Sequence, residues 1–220
     1  IVAVMDSGVD VTHDYLQSRM FRNERIGLSD CADDTYGCNT TACKKDLLGN
    51  GDIAPYGADE NGSCPEDGAN RCATNCCHGT HVAGIISALD PNASEQEMIG
   101  VCPMCQIMAI RVVEGSGIPD AAIIRGLIYV TRFETVSTGQ AVRIVNASFG
   151  KFQASRAVGA MVRALKKTGD GILVVAAAGN EDTMLRAYPA AFPDAIAVSN
   201  IARTGPKHVS SNFGPWVDVA

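Results

Sequence analysis

Runs of basic residues are missing from this chain. With a net charge of −6 and a pI near 5.2, it offers no track for a phosphate backbone, which excludes nucleic acid as an expected partner. No apolar run reaches the ~20 residues that a membrane-spanning helix needs. Internal repeats and low-complexity segments are also absent. So is a His-Glu-x-x-His run, and the single Cys-x-x-Cys at 102–105 has no second copy to complete a zinc site. There is no initiator methionine: Ile1 begins in what reads as mid-strand. The chain is therefore expected to be a piece truncated at both ends, and the lack of a leader before Ile1 says nothing about export.

What is present suits one globular domain over residues 1–220, since 46% of the residues are hydrophobic and 19% charged. Nine cysteines are many for a reducing compartment. Seven lie from Cys31 to Cys77, inside a Gly-, Asp- and Asn-rich insertion at about 23–77. Disulfides stapling that insertion fit a secreted or secretory-pathway protein. The tripeptides at Asn39, Asn61 and Asn92 are glycosylation sequons in predicted loops, and a fourth at Asn146 falls in a predicted core strand. An odd cysteine count leaves one thiol free or paired outside this sequence, and connectivity stays open. Cys102 and Cys105 precede a strand rather than a helix, which favours a structural disulfide over a redox or zinc pair. Asp46, Asn50, Asp52, Asp59 and Asn61 could supply hard oxygen ligands to a structural calcium, with a solvated polar insertion as the competing reading.

Outside the insertion, strand and helix patterns alternate. Residues 1–5, 107–113, 142–149, 172–178 and 195–201 are short apolar runs of strand type. Residues 79–89, 120–133 and 156–168 carry apolar side chains at helical spacing, with Asp120 as an expected N-cap. Lys166 and Lys167 followed by Gly169 make a favoured helix ending. The alternation predicts an α/β fold with a parallel sheet and helices on both faces, and places active groups at the carboxyl ends of the strands.

Two motifs stand where such groups belong. Asp6-Ser7-Gly8 closes the first strand, and His78-Gly79-Thr80-His81-Val82-Ala83-Gly84 opens the first helix. A carboxylate and an imidazole so placed can meet in space, fixing the histidine tautomer that a general base for a serine requires. His78 is the expected base, with His81 a structural, hydrogen-bonded histidine. A metal reading of the two is poor, because zinc would need a third ligand.

Five blocks in order give the chain a resemblance to the subtilisin-like serine proteases. They are residues 1–16 with Asp6, residues 78–89 with His78, Asn146-Ala147-Ser148-Phe149-Gly150, Val174-Val175-Ala176-Ala177-Ala178-Gly179-Asn180, and residues 195–219. The resemblance implies a three-layer fold with a central parallel sheet. It further implies peptide-bond hydrolysis through an Asp–His–Ser charge-relay triad, with Asp6 orienting His78 and the amide of Asn180 donating to the oxyanion. A preorganised donor of that kind is worth about 3–4 kcal/mol, a value measured in a subtilisin itself.

By the same resemblance Gly115, Ser116 and Gly117 form one backbone edge for the substrate, and Ser148, Phe149 and Gly150 the other. Ala177, Ala178 and Gly179 line one wall of the primary pocket, Ala187 forms its base, and Glu181 stands at its rim. Ser148 is not the nucleophile, since it lies in a strand-like run rather than a sharp strand-to-helix turn. The family's serine follows the equivalent of Ala220, so the nucleophile is expected beyond this sequence and residues 1–220 alone are expected to be inactive. No cofactor is needed for catalysis, the expected partners are protein or peptide substrates, and a monomer is expected. Family calcium sites do not carry over, since Tyr15 stands where many members have an aspartate and 90–98 does not match the usual calcium loop. Two other readings compete: a subtilisin-fold pseudoenzyme acting as a binding module, and a cysteine-rich metal-binding protein.

Overall fold

A computed structural model describes residues 1–24, 31, 34–41, 77–90, 99–113, 117–132, 139–167, 169 and 171–220. The chain divides into two compact units, Ile1–Val142 and Arg143–Ala220. Of the nine cysteines, Cys43, Cys64, Cys72 and Cys76 lie outside the described residues, as do the five candidate calcium ligands and the sequons at Asn61 and Asn92.

In the first unit, strand β1 (Val2–Asp6) pairs in parallel with β3 (Ile107–Arg111), and β3 pairs in parallel with β2 (Gly37–Asn39). All five residues of β1 are buried, so both of its faces must be covered, and period-2 alternation decides by what. Val2, Val4, Ile107 and Ala109 pack with Ala83, Val82 and Ile86 of helix α1 (His78–Ser87). Met5 and Ile110 point the other way, toward helix α2 (Asp120–Val130), where Gly126 lets the helix approach until a Cβ would touch both side chains. Two helices on opposite faces of one parallel sheet is the layering that the alternating pattern predicts.

Strand β2 lies within the predicted insertion, where its three residues are too short a run to stand out. It is fastened by side chains: the Thr40 hydroxyl donates to the carbonyls of Ala122 at 2.9 Å and Arg111 at 3.1 Å, while the Arg125 guanidinium donates to the carbonyls of Thr40 and Thr41. Disulfides join Cys31 to Cys38 and Cys102 to Cys105. The second closes the turn before β3, and the Ser87 hydroxyl at the end of α1 donates to the Cys105 carbonyl at 2.6 Å. Asn39 stands at the end of β2 rather than in a loop, and its Oδ1 accepts from the Thr41 amide and hydroxyl.

In the second unit β4 (Ile144–Ala147), β5 (Leu173–Ala177) and β6 (Ala195–Val198) pair in parallel in that order. Helix α3 (Arg156–Leu165) buries Val158, Val162 and Leu165, one stripe at i, i+4 and i+7. Ser155 caps it, its hydroxyl accepting from the Val158 amide. Gly169 takes φ +51°, the left-handed geometry expected of a glycine just past a helix. Ala147, Ala176, Ala190 and Ala197 form a core of small side chains with Phe149 and Trp216 packed against it. The helix expected over 120–133 ends at Val130, and Pro119 rather than Asp120 occupies its N-cap; Asp120 becomes the first helical residue, where its charge still favours the helix dipole.

Candidate active site

Asp6 is the last residue of β1 and is buried, at 4% exposure. A carboxylate removed from water must have its oxygens satisfied. Here Oδ1 accepts from the Ser7 amide at 2.7 Å, and both oxygens approach His78 Nδ1, at 2.8 and 3.0 Å. His78 opens α1 with its side chain 49% exposed. An ionised carboxylate can only accept, so Nδ1 carries the proton. In the neutral ring Nε2 then holds the lone pair, which is the tautomer a general base requires. The hydrogen bond to Asp6 raises the His78 pKa above 6.5, against a smaller opposing effect of desolvation. Among the described residues the ring bonds Asp6 and no serine hydroxyl.

The approach of strand to helix has its own fittings. The Gly79 amide donates to the Ser7 hydroxyl at 3.2 Å, and the Asp10 amide donates to the Thr80 hydroxyl at 2.9 Å. Gly79 has to be glycine, because a Cβ there would run into the Gly8 carbonyl and the Asp6 side chain. Ser7, 1% exposed, satisfies an amide that the first turn of α1 leaves open. Its role was not legible beforehand; a serine after a strand-ending aspartate is too common to single out. His81, expected to be hydrogen-bonded, instead is exposed and makes no hydrogen bond to another described residue. Three residues beyond His78, it leaves the seam with β1 and meets solvent.

In the second unit Asn180 follows β5 on an exposed turn, its backbone N–H donating to Glu181 Oε2 at 2.8 Å. Gly150, Ala177 and Ala187 converge: a Cβ on Gly150 would lie 3.4 Å from Ala187 Cβ and 3.9 Å from the Ala177 carbonyl. Lys151 and Tyr188 exchange backbone hydrogen bonds of 3.0 and 2.8 Å, which holds the two segments side by side. The Ser148 hydroxyl accepts from Asn146 Nδ2, and Phe149 packs on the alanine core, so both sit on a fixed edge after β4. Ala178 is buried behind that edge. Gly117 is exposed with open space around it, while Gly115 and Ser116 lie outside the described residues. Among the described residues no three His, Cys, Asp or Glu side chains group as metal ligands, and no helix is long and apolar enough to cross a membrane.

A buried aspartate holding the Nδ1 face of a half-exposed histidine, on a parallel α/β scaffold, is an arrangement compatible with the class of hydrolases that activate a serine hydroxyl. Within it the match is specific: the sequence model of the subtilase family aligns with residues 1–220, and the chain belongs to that family. Thermitase of Thermoactinomyces vulgaris is 31% identical over 73% of this chain and 52% of its own length. Subtilisin NAT of Bacillus subtilis subsp. natto is 29% identical over 99% of this chain and 45% of its own length. The structure of a protease from Pseudoalteromonas arctica superposes with a TM-score of 0.67 at 23% identity, covering 100% of this chain and 61% of that one. The fold is the subtilisin-like three-layer α/β fold with a central parallel sheet. The chain spans about half the length of the curated relatives it matches.

Proposed function

We propose that this chain is part of a serine endopeptidase domain of the secretory pathway that hydrolyses peptide bonds as a monomer, with Asp6, His78 and Asn180 in its catalytic machinery. The observation that carries the reading is the bidentate contact of buried Asp6 with His78 Nδ1. His78 Nε2 takes the proton from a serine hydroxyl as that oxygen attacks the carbonyl carbon, and later delivers it to the leaving amine. Asp6 holds the tautomer and stabilises the imidazolium formed in between. Asn180 donates to the oxyanion, as the family resemblance implies. By the family resemblance, the nucleophile is a serine that follows the equivalent of Ala220. Calcium, if the native protein holds it, falls to the insertion and takes no part in the reaction.

The family resemblance implies that Ser148, Phe149 and Gly150, and separately Gly115, Ser116 and Gly117, pair with the backbone of an extended substrate. By the family resemblance Ala177, Ala178 and Gly179 line one wall of the primary pocket and Ala187 its base. The close approach of Gly150, Ala177 and Ala187 supports a pocket without bulk, which suits a large apolar or aromatic side chain before the scissile bond. Glu181 at the rim disfavours acidic ones. The pseudoenzyme reading has less support, since three groups useful only together for acyl transfer are all present.

The test is a fluorogenic apolar peptide and the serine-containing full-length protein. His78→Ala is expected to abolish turnover, and Asn180→Ala to lower kcat about 10²–10³-fold with little change in KM. Undiminished activity of His78→Ala would remove the mechanism. A peptide library cleaved preferentially after Asp or Glu would overturn the pocket assignment.

A further inference from the structure

The turn that carries Asn180 is held from beneath by one side chain. Asn212 is fully buried, at 0% exposure, and its amide makes four hydrogen bonds, all to residues flanking Asn180. Oδ1 accepts from the Glu181 amide at 2.9 Å and the Thr183 amide at 3.2 Å. Nδ2 donates to the Ala178 carbonyl at 2.9 Å and to Glu181 Oε2 at 2.8 Å. A side-chain amide has two donors and two acceptor sites, so Asn212 has no polar capacity left over. Its backbone amide adds a bond to the Gly179 carbonyl at 3.0 Å. Glu181 Oε2 also accepts from the Asn180 amide, at 2.8 Å, so Asn180 is tied to Asn212 through a shared carboxylate oxygen.

The contact leaves no slack. Gly179 adopts φ +105°, and a Cβ there would run into Asn212 Nδ2. The residues on either side of Asn180 are thus fixed, while its own side chain is exposed and makes no hydrogen bond to another described residue. An oxyanion donor needs this combination: a backbone that cannot shift and an amide with nothing else to bind.

We infer that Asn212 is a positioning residue for catalysis, which sets the Ala178–Thr183 turn so that the Asn180 side-chain amide stands ready for the oxyanion. Resting on the proposed peptidase reading, the inference adds a group that touches no substrate and acts through Asn180. Asn212→Asp keeps the size and the Oδ1 acceptor but sets an oxygen against the Ala178 carbonyl and the Glu181 carboxylate. Asn212→Ala removes all four bonds. Either change displaces Asn180, and a displacement on the order of an ångström costs about a hundredfold in rate.

The test is a double-mutant cycle on kcat in the full-length enzyme, with a melting curve for each variant. Asn212→Ala is expected to lower kcat ten- to a hundredfold, with KM changed less than twofold. Placed on Asn180→Ala, the same change is expected to lower kcat less than threefold further, because the group it positions is gone. Should Asn212→Ala fail to fold, Glu181→Ala carries the test, since it removes only an exposed carboxylate shared by the two asparagines. It is expected to lower kcat several-fold in the native background and not in Asn180→Ala, with Glu181→Gln restoring the rate. Equal losses in both backgrounds would overturn the positioning role while leaving the peptidase reading intact. An Asn180→Ala variant with native kcat would instead sink the oxyanion assignment on which the inference stands.

Discussion

His78 titrates under the influence of Asp6, and the sign of that coupling sets two pH dependences. The hydrogen bond raises the folded pKa above 6.5, so the folded state binds the proton more tightly than the unfolded chain. The stabilisation is fully present below pH 6.5 and is lost as pH rises through the raised value. Thermal melts of His78→Ala, which lacks the group, are expected to show a flatter pH dependence across that window than the native protein. Activity runs the other way, because the base must be neutral. The acidic limb of kcat/KM is expected above pH 6.5, and Asp6→Asn is expected to lower kcat by about four orders of magnitude by releasing the Nδ1 tautomer. A profile whose acidic limb lies below 6.5, or an Asp6→Asn variant within tenfold of native, would contradict the coupling seen here.

Elements meet in this protein through small residues as much as through large ones. Gly79 allows α1 to touch the end of β1, and that contact is what brings His78 onto Asp6. Gly79→Ala forces strand and helix apart. The expected cost is about 1–3 kcal/mol of stability, with kcat lowered by about a hundredfold as the imidazole leaves the carboxylate. Circular dichroism melts and steady-state kinetics check the two together; native kcat at lowered stability would show that the close approach serves packing alone. The Cys102–Cys105 disulfide tightens the turn that leads into β3. Four residues make a short ring, so its loss through Cys102→Ser with Cys105→Ser is expected to cost about 2 kcal/mol, measured by denaturant unfolding.

For the whole molecule, the two expectations that matter are compositional and catalytic. Cysteines Cys31, Cys38, Cys102 and Cys105 are paired, and the Gly- and Asp-rich insertion has little apolar matter from which to build a core of its own. Non-reducing mass spectrometry of the native protein is expected to find most of its nine cysteines in disulfides. Finding most thiols free would withdraw the secretory assignment. Residues 1–220 prepared alone are expected to hydrolyse no peptide, since the family resemblance places the nucleophilic serine after the equivalent of Ala220. Serine-inhibitor-sensitive turnover from that preparation would mean that the nucleophile has been misplaced.

Much of this architecture follows from local pattern. Short apolar runs gave every strand longer than three residues among the described residues, and helical spacing gave α1, α2 and α3 with ends displaced by up to three residues. Asp6 and His78 were expected to meet because one closes and the other opens such a run, and they do; Asn180 was singled out through the family resemblance. Strand β2 was not legible, since three residues hold no full period, and it is fastened through Thr40 beside it to Arg111, Ala122 and Arg125 on distant parts of the chain. Ser7 and Asn212 were missed for a related reason. A buried serine or asparagine looks like a loop residue until its partners are known, and Asn212 meets Glu181 across 31 positions, as His78 meets Asp6 across 72. Periodicity records which face of an element must avoid water, a property of neighbours in sequence. Which carboxylate holds the imidazole, and which amide holds the turn beside Asn180, are pairings across the chain, decided only when packing brings those groups within hydrogen-bond reach and leaves them no water to bind instead.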